Sequence, residues 1–167
     1  MPLVLSGSQG ISSNGITYAI VPEDSGRVRT PFQPAFFAAM TGGWTHPSGV
    51  QLVLGTWATT FNIGSCYNTA TRRFTAPVTG AYQINGTVAT TGGVGTFSYL
   101  SCEFWVNGSR RSVGGWGGGG PSYGQTCNTA ILFLNANDYV ELGCESNKTF
   151  AFEASSQHTT FSGYLVG

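Results

Sequence analysis

Residues able to move protons, hold metals or act as nucleophiles are few and scattered along this 167-residue chain. The two histidines, His46 beside Pro47 and His158, share no H-x-x-x-H or other ligand spacing, so each reads as a loop or rim residue. Glu103, Glu141, Glu145 and Glu153 alternate with apolar residues and read as outward-facing strand positions. General acid–base work would need two of them paired with a positioned partner, and no motif supplies one. Asp138 follows Asn135 and Asn137, where a turn carboxylate usually accepts backbone donors. The surrounding oxygens are too sparse for a calcium site. Gly115, Gly117 and Gly120 formally satisfy G-x-G-x-x-G, but no helical pattern and no Gly-Lys-Ser/Thr follows, so a nucleotide site is rejected. A flexible apical loop presenting Trp116, with Tyr123 close behind it, is the better reading. There is no nucleophile elbow. The expectation is a protein that is not an enzyme and takes no cofactor.

Cys66, Cys102, Cys127 and Cys144 lack metal-type spacing and leave three disulfide pairings open. With no secretory signal in the sequence, reduced thiols packing as small hydrophobes are favoured. Asn85-Gly-Thr, Asn107-Gly-Ser and Asn147-Lys-Thr fit a glycosylation pattern that means nothing without secretion. Arg72-Arg73 and Arg110-Arg111 are the basic pairs, read by default as solvated loop or hairpin charges.

The elements that must position these side chains are strands. Glycine is abundant at 25 residues, while lysine occurs once and glutamate five times, with no sustained i, i+3, i+4 pattern. Only 8% of residues are charged and the net charge is zero, so the basic stripe that nucleic acid demands is missing. So little charge also predicts that much apolar surface is covered by neighbours. No apolar run approaches the roughly 18 residues of a membrane span, and no membrane insertion is expected.

Residues 1–32 read as an extended arm: short apolar pieces, Leu3-Val4-Leu5 and Ile16–Val21 with Tyr18 and Ile20, broken by Ser, Gly, Asn and Pro. Arg27 and Arg29 could pair with acidic groups on a partner. A single domain, 33–167, follows. Strands are expected at PAFFAAM from Pro34, Val50–Leu54, Thr56–Asn62, Arg73–Ala76 and through Tyr82, with a turn-rich connection at Thr90–Gly95. Further strands follow at Tyr99–Val106, Ser109–Val113, Thr126–Leu134, after Asp138, and at the C-terminal end; Asn107-Gly108 is the strongest hairpin dipeptide. In AILFL, Ala130, Leu132 and Leu134 face one way while Ile131 and Phe133 face the other. Such a strand has no polar side, so a second surface must cover it, and an oligomer is expected.

The spacing of Asn62, Tyr67, Phe74, Gly80 and Tyr82 resembles the signature of the C1q and tumour-necrosis-factor-like jelly roll, as do Leu132–Leu142 and Thr159–Gly167 for its last two strands. Ile84 and Gly86 depart from it where aromatics are preferred, and Thr56 stands in place of Phe, with Trp57 one position off. The resemblance covers roughly residues 33–167. It implies an all-β jelly-roll sandwich of about ten antiparallel strands and a homotrimer. The threefold interface it implies includes Phe36 or Phe37, Tyr82, Phe133 and Tyr164, to which the strand pattern adds Ile131.

The opening of the chain is similar to the starts of tailed-phage (cyanophage-like) virion proteins. From these readings we expect a capsid decoration, or cement, protein on the outer capsid surface, assembled in the host cytoplasm. Its arm would grip the major capsid protein, and accessory contact with host cell-surface glycan is allowed for. The alternative is a receptor-binding knob of a tail fibre or tailspike. A secreted recognition module is disfavoured by the missing signal and the lack of collagen-like repeats.

Overall fold

The computed structural model describes residues 11–13, 16–18, 21–22, 28–29, 33–93, 98–115, 123–153 and 157–167. The chain divides into two compact units, Met1–Gln33 and Pro34–Gly167. In the first unit, β1 (Ile11–Ser13) pairs with β2 (Ile16–Tyr18), and β3 (Val21–Pro22) pairs with β4 (Val28–Arg29), both antiparallel. Of the arm residues singled out above, Ile16 and Tyr18 lie in β2 and Arg29 in β4, whereas Leu3, Val4, Leu5, Ile20 and Arg27 lie outside the described residues.

The second unit runs β5 (Ala35–Gly42), β6 (Thr45–His46), β7 (Gly49–Leu52), β8 (Thr56–Ile63), β9 (Tyr67–Asn68), β10 (Arg73–Thr75) and β11 (Gly80–Gly93). It continues with β12 (Cys102–Val106), β13 (Ser109–Gly114), β14 (Tyr123–Leu134), β15 (Tyr139–Ser146), β16 (Phe150–Phe152) and β17 (Thr160–Leu165). These form two antiparallel sheets. One has six strands in the order β13-β12-β15-β10-β9, with β7 also on β15; the other has seven, β6-β16-β11-β17-β5-β8, with β14 also on β11. The expected turn-rich connection at Thr90–Gly95 is instead strand through Gly93, because Thr90 and Thr91 pair with both β14 and β16.

Two long strands organise the sheets. Along one edge β11 pairs with β14 from Gly80 to Thr91, while β17 and then β16 take successive stretches of its other edge. β15 is shared in the same manner by β12 on one side and by β10 and β7 on the other. The β12–β13 hairpin closes through Asn107 and Gly108 with φ of 50° and 76°, the paired positive values that a tight hairpin matching strand twist requires.

Aromatic rings fill the space between the sheets. Phe36 stacks on Tyr67 at 4.8 Å and on Phe74 at 5.2 Å, with Phe161 edge-on at 5.1 Å. Tyr82 meets Phe74 edge-on at 5.2 Å and anchors its hydroxyl by donating to the Val78 carbonyl at 2.7 Å. Asn62 holds this end together: its Oδ1 accepts the Tyr67 N–H at 3.0 Å and its Nδ2 donates to the Tyr67 carbonyl at 2.8 Å. The residues whose spacing carried the family resemblance therefore build one end of the core.

At Gly86 side chains of the facing sheet press close against the backbone. A Cβ there would lie 2.5 Å from Leu142 Cδ1 and 2.9 Å from Phe104 Cε1. The aromatic preferred at this position in the family is absent because Phe104 and Leu142 occupy its volume from the facing sheet. Gly86→Val is expected to lower stability by roughly 1–3 kcal/mol, read as a lower urea midpoint with unchanged slope.

His46 is fully buried rather than a rim residue. It stacks on Phe150 at 4.7 Å and meets Trp44 and Phe152 edge-on, and neither ring nitrogen makes a well-formed hydrogen bond among the described residues. Burial pulls its pKa below 6.5, offset in part by the Cys144 and Pro47 backbones and by the Glu103 charge. The unfolded chain therefore takes up this proton first, so the stability it contributes is full above about pH 6.5 and is lost as pH falls below it. Urea melts of His46→Phe are expected to show a flatter dependence than the parent between pH 6.5 and 5.

Candidate functional site

β14 alternates along its whole length. Thr126, Asn128 and Leu134 are buried, whereas Tyr123, Ile131 and Phe133 stand 72%, 67% and 73% exposed. Strand register carries this exposed side across the seven-stranded sheet. Ile131 lies opposite Gln83, Gln83 opposite Tyr164, Tyr164 opposite Ala35, and Ala35 opposite Ile63. The neighbouring row runs Thr129, Asn85, Ser162, Phe37 and Phe61. Phe61, Tyr164 and Ile63 are 46%, 44% and 40% exposed, and Phe37 is half-buried against Phe61 at 6.4 Å.

The face is thus two apolar ridges flanking a neutral polar stripe. In the stripe Tyr164 Oη donates to Gln83 Oε1 at 2.8 Å, and Gln83 Nε2 donates to Asn85 Oδ1 at 3.3 Å. Thr129 Oγ1 donates to the same Asn85 oxygen at 3.1 Å. These bonds pair several of the stripe's polar atoms within the protomer, which lowers the cost of dehydrating it. None of the strands of this sheet contains an Asp, Glu, Lys or Arg.

Of the residues expected at a threefold interface, Phe37, Ile131, Phe133 and Tyr164 share this face. Phe36 and Tyr82 do not. Both are fully buried within the protomer, because on β5 and β11 they have the parity of Ala38 and Ile84 and point between the sheets. Sequence reasoning missed Phe61 and Ile63, which the β5–β8 ladder brings beside Phe37 and Ala35. β8 gives no clean alternation to signal them, because Ala58 to Phe61 are all exposed and its pairing with β5 is bulged.

The loop expectation is half accessible. Trp116 lies outside the described residues, whereas Tyr123 lines a cleft of about 240 Å³ with Thr90, Gln125, Glu153 and His158. His158 is exposed, its Nδ1 4.0 Å from Glu153 Oε1.

The charged residues gather on the other sheet. Glu103 is fully buried there, not solvent-facing as the alternation predicts. It accepts from Ser101 Oγ at 2.9 Å, Trp105 Nε1 at 2.9 Å and Arg110 Nη1 at 3.1 Å. Arg110 also reaches Glu145 at 2.9 Å, and this carboxylate accepts from Tyr99 Oη at 3.3 Å. Glu141, likewise buried, pairs with Arg73 at 2.9 Å, whose guanidinium lies 4.1 Å from the centre of the Tyr139 ring. These carboxylates are committed to fixed partners within the sheet, an arrangement that suits structure. Asp138 accepts from the Asn135 N–H at 2.8 Å and Asn107 Nδ2 at 2.7 Å, which hold its carboxyl below the usual range. Among the described residues no group of three His, Cys, Asp or Glu is placed to hold a metal ion.

Solved structures share this architecture. The Eiger TNF of S. frugiperda superimposes with a TM-score of 0.61 at 12% identity, covering 81% of this chain and 93% of the other. Murine APRIL does so at 0.57 and 13%, covering 80% and 99%. The globular domain of zebrafish complement 1qA gives 0.51 and 16%, covering 81% and 98%. At such identities the likeness is one of fold. C1q/TNF-like domains are in general trimeric modules for binding or structure, without enzymatic activity. A family model described as the C1q domain matches residues 35–166, from the start of β5 to just past β17. Its reach across both sheets and the aromatic core between them makes this chain a member of the C1q domain family.

Proposed function

We propose that the protein is a homotrimeric structural and binding module that closes around the uncharged face of its seven-stranded sheet. The observation that carries this reading is the set of Ile131, Phe133, Tyr164, Phe61 and Ile63, all on one exposed side with no charge among the strands bearing them. Apolar side chains in contiguous rows are costly to hydrate, at roughly 25 cal/mol per Å², and a sheet face so built is suited to burial against copies of itself. Sedimentation equilibrium is expected to return three times the 17.5 kDa protomer mass. The Ile131→Asp, Phe133→Ser double variant is expected to fall to one protomer with its circular dichroism unchanged. A parent protein that sediments as a monomer at micromolar concentration overturns the reading.

Within that role we place the protein on a virion, as a capsid decoration protein on the outer capsid surface. The support is the separate first unit, Met1–Gln33, with its short apolar pieces, joined to a domain of very low charge. Segments of this kind gain order by lying on a partner, here the major capsid protein, and three of them on one trimer multiply weak contacts through avidity. Deleting residues 2–30 is expected to leave the oligomer intact and abolish binding to emptied capsids. Equal decoration by the truncated chain refutes the arm mechanism.

A second reading, a receptor-binding knob of a tail fibre or tailspike, is favoured by Tyr123. Its exposed ring beside Gln125, Glu153 and His158 offers a stacking surface with hydrogen-bonding groups at its rim, a combination suited to a host glycan. Glycan-array binding lost in Tyr123→Ala, with tail labelling by immunogold, would select this reading over the first.

A further inference from the structure

Two of the four cysteines face each other across neighbouring strands. β12 and β15 pair with Glu103 opposite Gly143, and the bridge between Leu100 and Ser146 continues the same register. That register sets Cys102 directly opposite Cys144. The Ser101 N–H donates to the Glu145 carbonyl at 2.9 Å while the Glu145 N–H donates to Ser101 Oγ at 2.9 Å, so positions 101 and 145 stand at a hydrogen-bonding site of the ladder. In an antiparallel ladder the two kinds of pair alternate, which makes Cys102 and Cys144 a non-hydrogen-bonded pair, the kind with the closer side chains. Their Cα atoms are then about 4.5 Å apart, inside the range a disulfide spans.

Both side chains point the same way. Cys102 shares the parity of Phe104, and Cys144 that of Leu142, and all four are buried between the sheets. A Cβ on Gly86 would stand 3.2 Å from Cys102 Sγ, which locates that sulfur over the glycine. Cys66 precedes β9 at the far edge of the sheet, and Cys127 is exposed on β14 in the other sheet. All four are free thiols here.

We propose that Cys102 and Cys144 are a disulfide site, closed by thiol–disulfide exchange with a small disulfide such as glutathione disulfide. One cysteine thiolate attacks a sulfur of the glutathione disulfide, breaking its S–S bond and releasing one glutathione thiolate. The second cysteine, deprotonated, attacks the protein-side sulfur of the mixed disulfide. The Cys102 Sγ–Cys144 Sγ bond forms and the second glutathione leaves. Two electrons pass from the cysteines to the glutathione disulfide, and the two thiol protons end on the two glutathiones. Burial holds both thiols well above their ordinary pKa, so exchange is slow in the folded protein and fast while the chain is folding. The bond joins two adjacent central strands of the six-stranded sheet.

The test is refolding of the full chain from denaturant across a series of oxidised and reduced glutathione mixtures, which removes burial as a kinetic barrier. The product is acid-quenched, alkylated under denaturing conditions and mapped by mass spectrometry. The expected product is two hydrogens lighter, carries one internal crosslink between the Cys102 and Cys144 peptides, and regains both thiols in the reducing mixtures. A Cys66→Ser, Cys127→Ser variant is expected to keep that mass loss, and Cys144→Ser to lose it. A folded product in which Cys102 and Cys144 are both alkylated after oxidising refolding overturns the proposal. So does a crosslink through Cys66 or Cys127.

Discussion

Phe36 lies flat between the rings of Tyr67 and Phe74, with Phe161 against its edge, so a single side chain of β5 is clamped by groups from both sheets. Offset and edge-on aromatic pairs each add about 0.5–1.5 kcal/mol beyond the area they bury. Their larger effect is geometric, since flat rings admit few alternative packings. The stack requires Phe36 to point inward. That forces Phe37 outward, and strand pairing then places Phe61 and Tyr164 on the same outward side. The apolar face is in this sense a by-product of core parity made useful by the residues that surround it.

The two sheets have divided the labour of solvation. The six-stranded sheet carries Arg73, Glu103, Arg110, Glu141 and Glu145 and holds them in mutual pairs, with Glu103 entirely out of water. A buried carboxylate is tolerable only when donors surround it, and Ser101, Trp105 and Arg110 supply three. The seven-stranded sheet has taken the opposite course and dispensed with charge. One sheet carries paired charges and the other none.

How much of this was legible in the sequence depended on whether a strand was long enough to show its period. β11 and β14 were, and the opposite orientations of Ile131 and Leu132 followed from alternation alone. Tyr82 was misplaced for an instructive reason. The family resemblance suggested an interface by strand membership, whereas parity with Ile84 and Val88 turns its ring into the core, and side-chain parity is the stronger constraint. β6 and β16 are two and three residues long, so neither shows a period, and His46 looked like a loop residue beside Pro47. The burial of Glu103 depends on Arg110 folding back from the partner strand of a hairpin, a tertiary event that alternation does not encode. In the first unit, Ile11–Ser13 pairs with Ile16–Tyr18, where short apolar pieces read as an extended arm.

A sheet without fixed charge has a further consequence, for the range of salinities in which its contacts can operate. Attraction between charges fades within about 8 Å at physiological ionic strength, so surfaces matched by ion pairs loosen as salt rises. Any contact that Ile131, Phe133 and Phe61 made would have no such term to lose, and salting-out ions would tighten it. Rising salt therefore does not loosen this side of the protein. The opposite sheet, where arginine meets glutamate, responds in the other direction, its pairs weakening as salt rises.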